Sequence, residues 1–213
     1  MTSSFGAVLD MGRDINMPWT YSAEDWNPIT YAEAADLTAT PQDAYRGSKT
    51  LAEQEAWRFV NGENPSFDLV TLCPSMVFGP MAHPVSSRAN LNESNALLWK
   101  VASSVRPLPP ARFNFWIDVR DLAELHVQSL LTPEAGGRRY VPVSPEKFNY
   151  QIADEIMARN FPERMSSRIS EEEDINTVVN VNREATLKDF HISYRTFEET
   201  VVDFLNQAYK LNK

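Results

Sequence analysis

Two side chains in the stretch "DAYRGSK" (residues 43–49) could do chemistry together: the phenol of Tyr45 and the ammonium of Lys49. Four positions apart on a helix, they project from one face about one turn from each other. A phenol with its ordinary pKa of about 10 is a poor acid or base near neutrality. A neighbouring ammonium stabilises the phenolate and lowers that value into a range useful for proton transfer. Such a donor suits the reduction of a carbonyl, in which hydride goes to carbon and a proton to oxygen. A third hydroxyl could hold the carbonyl oxygen. Ser3 and Ser4 are the candidates, provided their strand end lies at the same sheet edge as the helix. Tyr-x-x-x-Lys by itself recurs by chance in many helices, so its surroundings decide its meaning.

The helix that must carry the pair is written in "TPQDAYRGSKTLAEQEAWRFVNG". Thr40 can cap it, Pro41 suits the first helical position and Asp43 completes a capping-box pattern. Ala52, Ala56, Phe59 and Val60 form an apolar stripe at helical spacing, and Gly62 offers a stop. "TSSFGAVLD" reads as a strand end running into a loop, and residues 10–39 as a long irregular stretch holding Trp19, Tyr21, Trp26 and Tyr31. Long loops in compact domains are often functional. The apolar, proline-closed "FDLVTLCP" reads as a buried parallel strand.

Further on, "LNESNALLWKVASS" is helical, "RPLPPAR" a linker, and "FNFWI" a β-prone segment. "DVRDLAELHVQSLL" is an amphipathic helix that Asp118 could cap. "RRYVPVS" is a strand after the Gly136-Gly137 turn, and "NYQIADEIMARNF" a helix. "ISEEEDI" is a solvated acidic run. "REATLKDF" and "YRTFEETVVDFLNQAY" are helical. Strands alternating with helices imply an α/β fold with a parallel sheet.

Composition narrows the function classes. A net charge of −9 and a pI near 4.9 argue against a nucleic-acid or anionic-membrane surface. The single cysteine, Cys73, excludes an internal disulfide framework and reads as a buried structural thiol. His83, His126 and His191 stand far apart without ligand spacing, so no metal site is expected. No run approaches the roughly 20 apolar residues of a membrane span, and no signal peptide is visible. A cytoplasmic setting is the expectation.

Four segments, in order, resemble the extended short-chain dehydrogenase/reductases of the NAD-dependent epimerase/dehydratase superfamily. They are "TSSFGAV" (2–8), "AYRGSKTLAEQEAW" (44–57) with its "SKxLAExxAW" pattern, "CPSMVFGP" (73–80) and "WIDVRDLAELHV" (116–127). Within that family the chain is similar to the branch of dihydroflavonol reductases, cinnamoyl-CoA reductases and NADPH-dependent methylglyoxal (aldehyde/ketone) reductases. The resemblance implies a small-molecule carbonyl substrate and NADP(H) rather than NAD(H). It makes Ser4 the carbonyl-orienting hydroxyl, with Ser3 the alternative, and Tyr45 the proton donor. Lys49 would lower the tyrosine pKa and hold the nicotinamide ribose. Pro74 and Val77 would border the nicotinamide, and Ser94 would approach the cofactor phosphates. Leu9 and Met76 would line the substrate pocket, unless they are ordinary packing. Asp118, Arg120 and Asp121 form a structural turn on this reading.

The same resemblance sets an expectation of truncation. The glycines, at 6, 12, 47, 62, 79, 136 and 137, give no G-x-x-G-x-x-G or G-x-G-x-x-G. The glycine-rich βαβ units that hold the pyrophosphate in such folds are therefore missing. The fold expected is a partial Rossmann-like parallel sheet with a smaller, mainly helical C-terminal substrate lobe. Residues 1–80 would be the end of the dinucleotide-binding domain with its catalytic helix. Residues 81–213 would be mostly substrate lobe, with about 113–145 returning to the sheet. The expected function is NAD(P)-dependent reduction of an aldehyde or ketone by a fragment of a longer enzyme. The alternatives are a nucleotide-sugar epimerase or dehydratase on the same scaffold, or a non-catalytic short paralogue acting as a binding module.

Overall fold

A computed structural model describes residues 1–105, 111, 113–164 and 178–212. The "ISEEEDI" run and, apart from Ala111, the "RPLPPAR" stretch lie outside the described residues. The chain divides into two compact units. One comprises Met1–Ser75, Leu122–Val143 and Val178–Ile192, the other Met76–Asp121, Ser144–Thr177 and Ser193–Lys213.

In the first unit the segment from Met1 to Phe5 runs parallel to strand β2 (Thr71–Leu72). The Ser3 N–H donates to Leu72 O at 2.7 Å, Leu72 N–H to Met1 O at 3.0 Å, and Phe5 N–H to Pro74 O at 2.7 Å. On its other side β2 pairs in parallel with β5 (Arg139–Tyr140). The expected strand "RRYVPVS" keeps only those two ladder residues, and Pro142 has no N–H to extend it. Strand side chains alternate between faces. Ser3, Thr71 and Cys73 all meet Glu53 of helix α2 (Pro41–Glu63). Thr2 instead meets His126 of α4 (Val119–Leu131), with Thr2 Oγ1 and His126 Nε2 2.9 Å apart. Helices therefore cover both faces of these parallel strands, as parallel sheets require.

Helix α2 starts where expected: Thr40 Oγ1 accepts from the Asp43 N–H at 3.1 Å, and Pro41 occupies the first turn. The capping box is only half made, because the Asp43 carboxylate accepts from the Thr40 hydroxyl at 2.7 Å and not from its backbone. Nor does the helix stop at Gly62. It continues to Glu63 and ends at Asn64, which takes the left-handed conformation (φ 46°) that asparagine tolerates. Gly47 allows a close approach: a Cβ there would sit 2.2 Å from the Cβ of Ala34 on α1 (Tyr31–Ala34). The stretch 10–39 is thus not wholly irregular. It contains α1 and strand β1 (Trp19–Tyr21), which pairs in parallel with β6 (Val179–Val181), a strand the sequence reading did not anticipate. Helix α6 (Glu184–Asp189) follows β6.

In the second unit β3 (Met76–Phe78) pairs in parallel with β4 (Trp116–Asp118), Val77 opposite Ile117. Helices α3 (Glu93–Ala102), α5 (Tyr150–Asn160) and α7 (Phe197–Ala208) pack around a core of Leu98, Met157, Phe204 and Leu205. Aromatic rings fill its centre, with Phe78 and Phe148 centroids 5.0 Å apart and Trp116 and Phe197 4.8 Å apart. The expected structural turn is present. The Arg120 N–H donates to the buried Asp118 carboxylate at 2.7 Å, Arg120 also reaches Asp203, and Asp121 pairs with Arg195. No helix among the described residues is long and apolar enough to cross a membrane.

Candidate active site

Ser4 caps a short 3-10 turn, Phe5–Ala7, at the end of the first strand segment, and its Oγ accepts from the Gly6 N–H at 3.0 Å. The phenol of Tyr45, one turn into α2, donates to the same Oγ at 3.3 Å. The Lys49 ammonium stands 6.0 Å from the centre of the Tyr45 ring and forms no ion pair among the described residues. Ser4 is 9% exposed and Tyr45 51%, so the phenol can be reached from solvent while its serine partner is fixed in the fold. Residue spacing left two serines open, and the family resemblance chose Ser4. The structure brings Ser4 to Tyr45 and gives Ser3 a different partner further along the same helix, its hydroxyl donating to Glu53 at 2.5 Å.

Of the other sequence candidates, Leu9 and Pro74 lie in the same unit and both are buried. The Pro74 carbonyl is engaged by the Phe5 N–H, which ties the strand end after β2 to the Ser4 turn. Met76, Val77 and Ser94 belong to the second unit. There Met76 packs against the aromatic core, and the Ser94 hydroxyl donates to the Val77 carbonyl, so these two candidates meet each other.

Sequence reasoning passed over two residues beneath the site. Glu53 is fully buried in α2 and receives a bidentate pair from Arg139 at 2.8 and 3.2 Å. It also receives the hydroxyls of Ser3 and, at 2.6 Å, Thr71. Burial pushes the Glu53 carboxyl up, but the hydrogen bonds from Arg139, Ser3 and Thr71 outweigh it and hold the group below its usual range. Beside it, burial pushes the Cys73 thiol up to about 12, which makes it a structural thiol and not a nucleophile. Glu53 is the glutamate of the "SKxLAExxAW" pattern, so a signal was present. Its partner lies 86 positions further along the chain.

A separate cleft of about 340 Å³ in the first unit is lined by Asp10, Met11, Asn27, Ile29, Glu33 and Arg46, among others, and includes neither Ser4, Tyr45 nor Lys49. Its carboxylates are already engaged, Glu33 with Thr30 and Asp10 with Gly12. Among the described residues no group of histidine, cysteine or acidic side chains could hold a metal ion.

Parallel strand pairs flanked by helices are the elements of a Rossmann-type fold, and at one strand end a serine meets a tyrosine that has a lysine one helical turn on. Comparison with known proteins agrees. The chain is 34% identical over 205 residues to a putative uncharacterized oxidoreductase of Schizosaccharomyces pombe, covering 95% of this chain and 60% of that protein. It is 34% identical over 165 residues to the NADPH-dependent methylglyoxal reductase of Saccharomyces cerevisiae, covering 76% of this chain and 47% of the enzyme. The crystal structure of the yeast methylglyoxal/isovaleraldehyde reductase complexed with NADPH superimposes with a TM-score of 0.85 at 30% identity, over 98% of this chain and 62% of that one. No family model matches. The chain belongs to the extended short-chain dehydrogenase/reductase family, within the NAD-dependent epimerase/dehydratase superfamily, and its fold is a partial Rossmann fold. It spans 60% or less of the length of these two sequence relatives.

Proposed function

We propose that Ser4, Tyr45 and Lys49 form the proton relay of an NADP(H)-dependent reduction of an aldehyde or ketone. The observation that carries this reading is the Tyr45 phenol resting on Ser4 Oγ at 3.3 Å, half-exposed, with the Lys49 ammonium beside its ring. Ser4 and Tyr45 together offer two hydroxyl donors to one carbonyl oxygen. Tyr45 gives its proton to that oxygen as it becomes an alkoxide, and Lys49 stabilises the phenolate left behind. The hydride for carbon is what a reduced nicotinamide would supply when bound.

The residues present fit the nicotinamide end of such a cofactor. Lys49 has an ammonium without an ion-pair partner among the described residues, suited to the ribose hydroxyls. On the same reading Pro74, in the unit that carries the relay, borders the nicotinamide, and Leu9 of that unit contributes an apolar contact to the substrate. For the pyrophosphate, the sequence offers no glycine-rich strand–turn–helix. Titrating the chain into NADPH and following cofactor fluorescence tests the proposal. Saturable enhancement, weakened in Lys49→Ala, is the expected result. An unchanged signal up to millimolar cofactor would show that this chain does not act on its own.

A further inference from the structure

The Glu53–Arg139 pair has a geometry that goes beyond holding two elements together. Arg139 has five N–H donors, and all five are used. Nε and one Nη2 hydrogen go to Glu53 at 2.8 and 3.2 Å. The other Nη2 hydrogen goes to Ala7 O at 3.1 Å, and the two on Nη1 to Ala23 O at 3.0 Å and to Asp25 O. The guanidinium also lies 3.8 Å from the centre of the Trp26 ring. Its side chain is 7% exposed and that of Glu53 0%, so neither group exchanges these partners for water.

What these contacts touch is specific. Ala7 closes the 3-10 turn that Ser4 opens. Ser3, bonded to Glu53, is the residue before Ser4. The Ser4 turn is therefore gripped on both sides, by Glu53 through Ser3 and by Arg139 through Ala7. Glu53 itself lies on α2, about two turns beyond Tyr45. The same ion pair thus fixes the helix that carries the phenol and the turn that carries the hydroxyl it donates to. That phenol–hydroxyl bond, 3.3 Å long on a half-exposed tyrosine, is longer than the about 2.5–3.0 Å usual for an O–H donor. A small shift of either support would break it.

We propose that Glu53 and Arg139 are positioning residues for the relay, setting the Ser4 turn in register against the Tyr45 helix. The proposal rests on the reading of Ser4, Tyr45 and Lys49 given above. Lysine cannot replace Arg139, because a point charge with three donors cannot hold a planar carboxylate and three carbonyls together.

The test uses the full chain with carbon-13 at the hydroxyl-bearing ring carbon of tyrosine, the Tyr45 resonance being assigned by its loss in Tyr45→Phe. Ser4→Ala calibrates the shift that follows loss of the hydrogen bond. Arg139→Lys is expected to move the Tyr45 resonance in the same direction. The double variant Ser4→Ala/Arg139→Lys should move it no further than Ser4→Ala alone, the non-additivity of residues acting on one contact. Tyr209, in the second unit, stays in place. Glu53→Gln is the second variant, with the same expectation. Where turnover is measurable, Arg139→Lys lowers kcat by roughly ten- to a hundredfold with KM little changed.

A folded Arg139→Lys or Glu53→Gln with Tyr45 at its wild-type position overturns the proposal, as does full additivity. Loss of the fold in both variants reduces the pair to a stability element and overturns it equally. The relay reading fails separately. Tyr45→Phe turning over like wild type would reject that reading while leaving the coupled resonance shifts untouched.

Discussion

Replacing Glu53 by glutamine removes one charge and almost no volume, so its cost can be worked from the contacts. Oε1 receives the Thr71 hydroxyl at 2.6 Å and Arg139 Nε at 2.8 Å; Oε2 receives the Ser3 hydroxyl at 2.5 Å and Arg139 Nη2 at 3.2 Å. Whichever way the amide turns, its NH2 faces one hydroxyl and one guanidinium N–H. The hydroxyl can rotate to accept, but the guanidinium cannot, because it has no acceptor. One N–H of a nearly buried cation is left without a partner, and the cation loses its counter-charge. Removing one member of a buried pair costs about 3–5 kcal/mol, a large part of a total stability of about 5–15 kcal/mol. At roughly 2–4 °C per kcal/mol for a chain of this size, the melting midpoint should fall by about 6–20 °C. Thermal unfolding followed by circular dichroism at neutral pH measures it. Glu53→Gln/Arg139→Met should recover part of the loss but not all, since the carbonyls of Ala7, Ala23 and Asp25 then lose their donors. A Glu53→Gln midpoint equal to wild type within error would refute the account of this pair.

Two further outcomes follow from particular contacts. Gly47→Ala, normally a gain of about 1 kcal/mol inside a helix, should here destabilise by about 1–3 kcal/mol, because its Cβ would fall 2.2 Å from that of Ala34; a raised melting midpoint would contradict the close approach of α1 and α2. Acid should destabilise the chain in two stages. His126 is held below its ordinary 6.5, chiefly by burial, so the unfolded state binds more protons and stability declines as pH falls below that value. In Glu53 and Asp118 hydrogen bonds and charge outweigh burial and hold the carboxyls low, so their stabilisation is present above ordinary carboxylate pKa values and is lost below about pH 4. Asp121 is raised by burial and offsets part of the second stage. A melting midpoint that is flat or rising between neutrality and pH 3 would overturn this assignment.

Much of the site was legible because its signals are local. Thr40 and Pro41 mark the start of α2, and the Tyr45–Lys49 spacing needs only helical geometry. The choice of Ser4 over Ser3 came from the family resemblance and not from the spacing of the residues, although its physical cause is simple. Both serines meet α2, Ser4 at Tyr45 and Ser3 about two turns further on at Glu53, and which hydroxyl takes which partner depends on where Glu53 and Arg139 meet. That meeting joins residues 86 positions apart, as the β1–β6 pairing joins Trp19 to Val179, and neither leaves a periodic trace in the sequence. The end of α2 shows the limit of local signals too. Gly62 was the expected stop, but a glycine is tolerated inside the last turn, and Asn64 supplies the left-handed residue instead. Helix α4 and the Asp118 turn were read correctly because both are written in consecutive residues.

The central claim is that Tyr45 delivers the proton. Single-turnover oxidation of NADPH by the chain, with a small aldehyde such as methylglyoxal as acceptor, measures it most directly in wild type, Tyr45→Phe and Ser4→Ala. The account predicts cofactor binding unchanged in Tyr45→Phe and turnover reduced by about two to four orders of magnitude, the usual contribution of a positioned general acid. Turnover in Tyr45→Phe at the wild-type rate would contradict it.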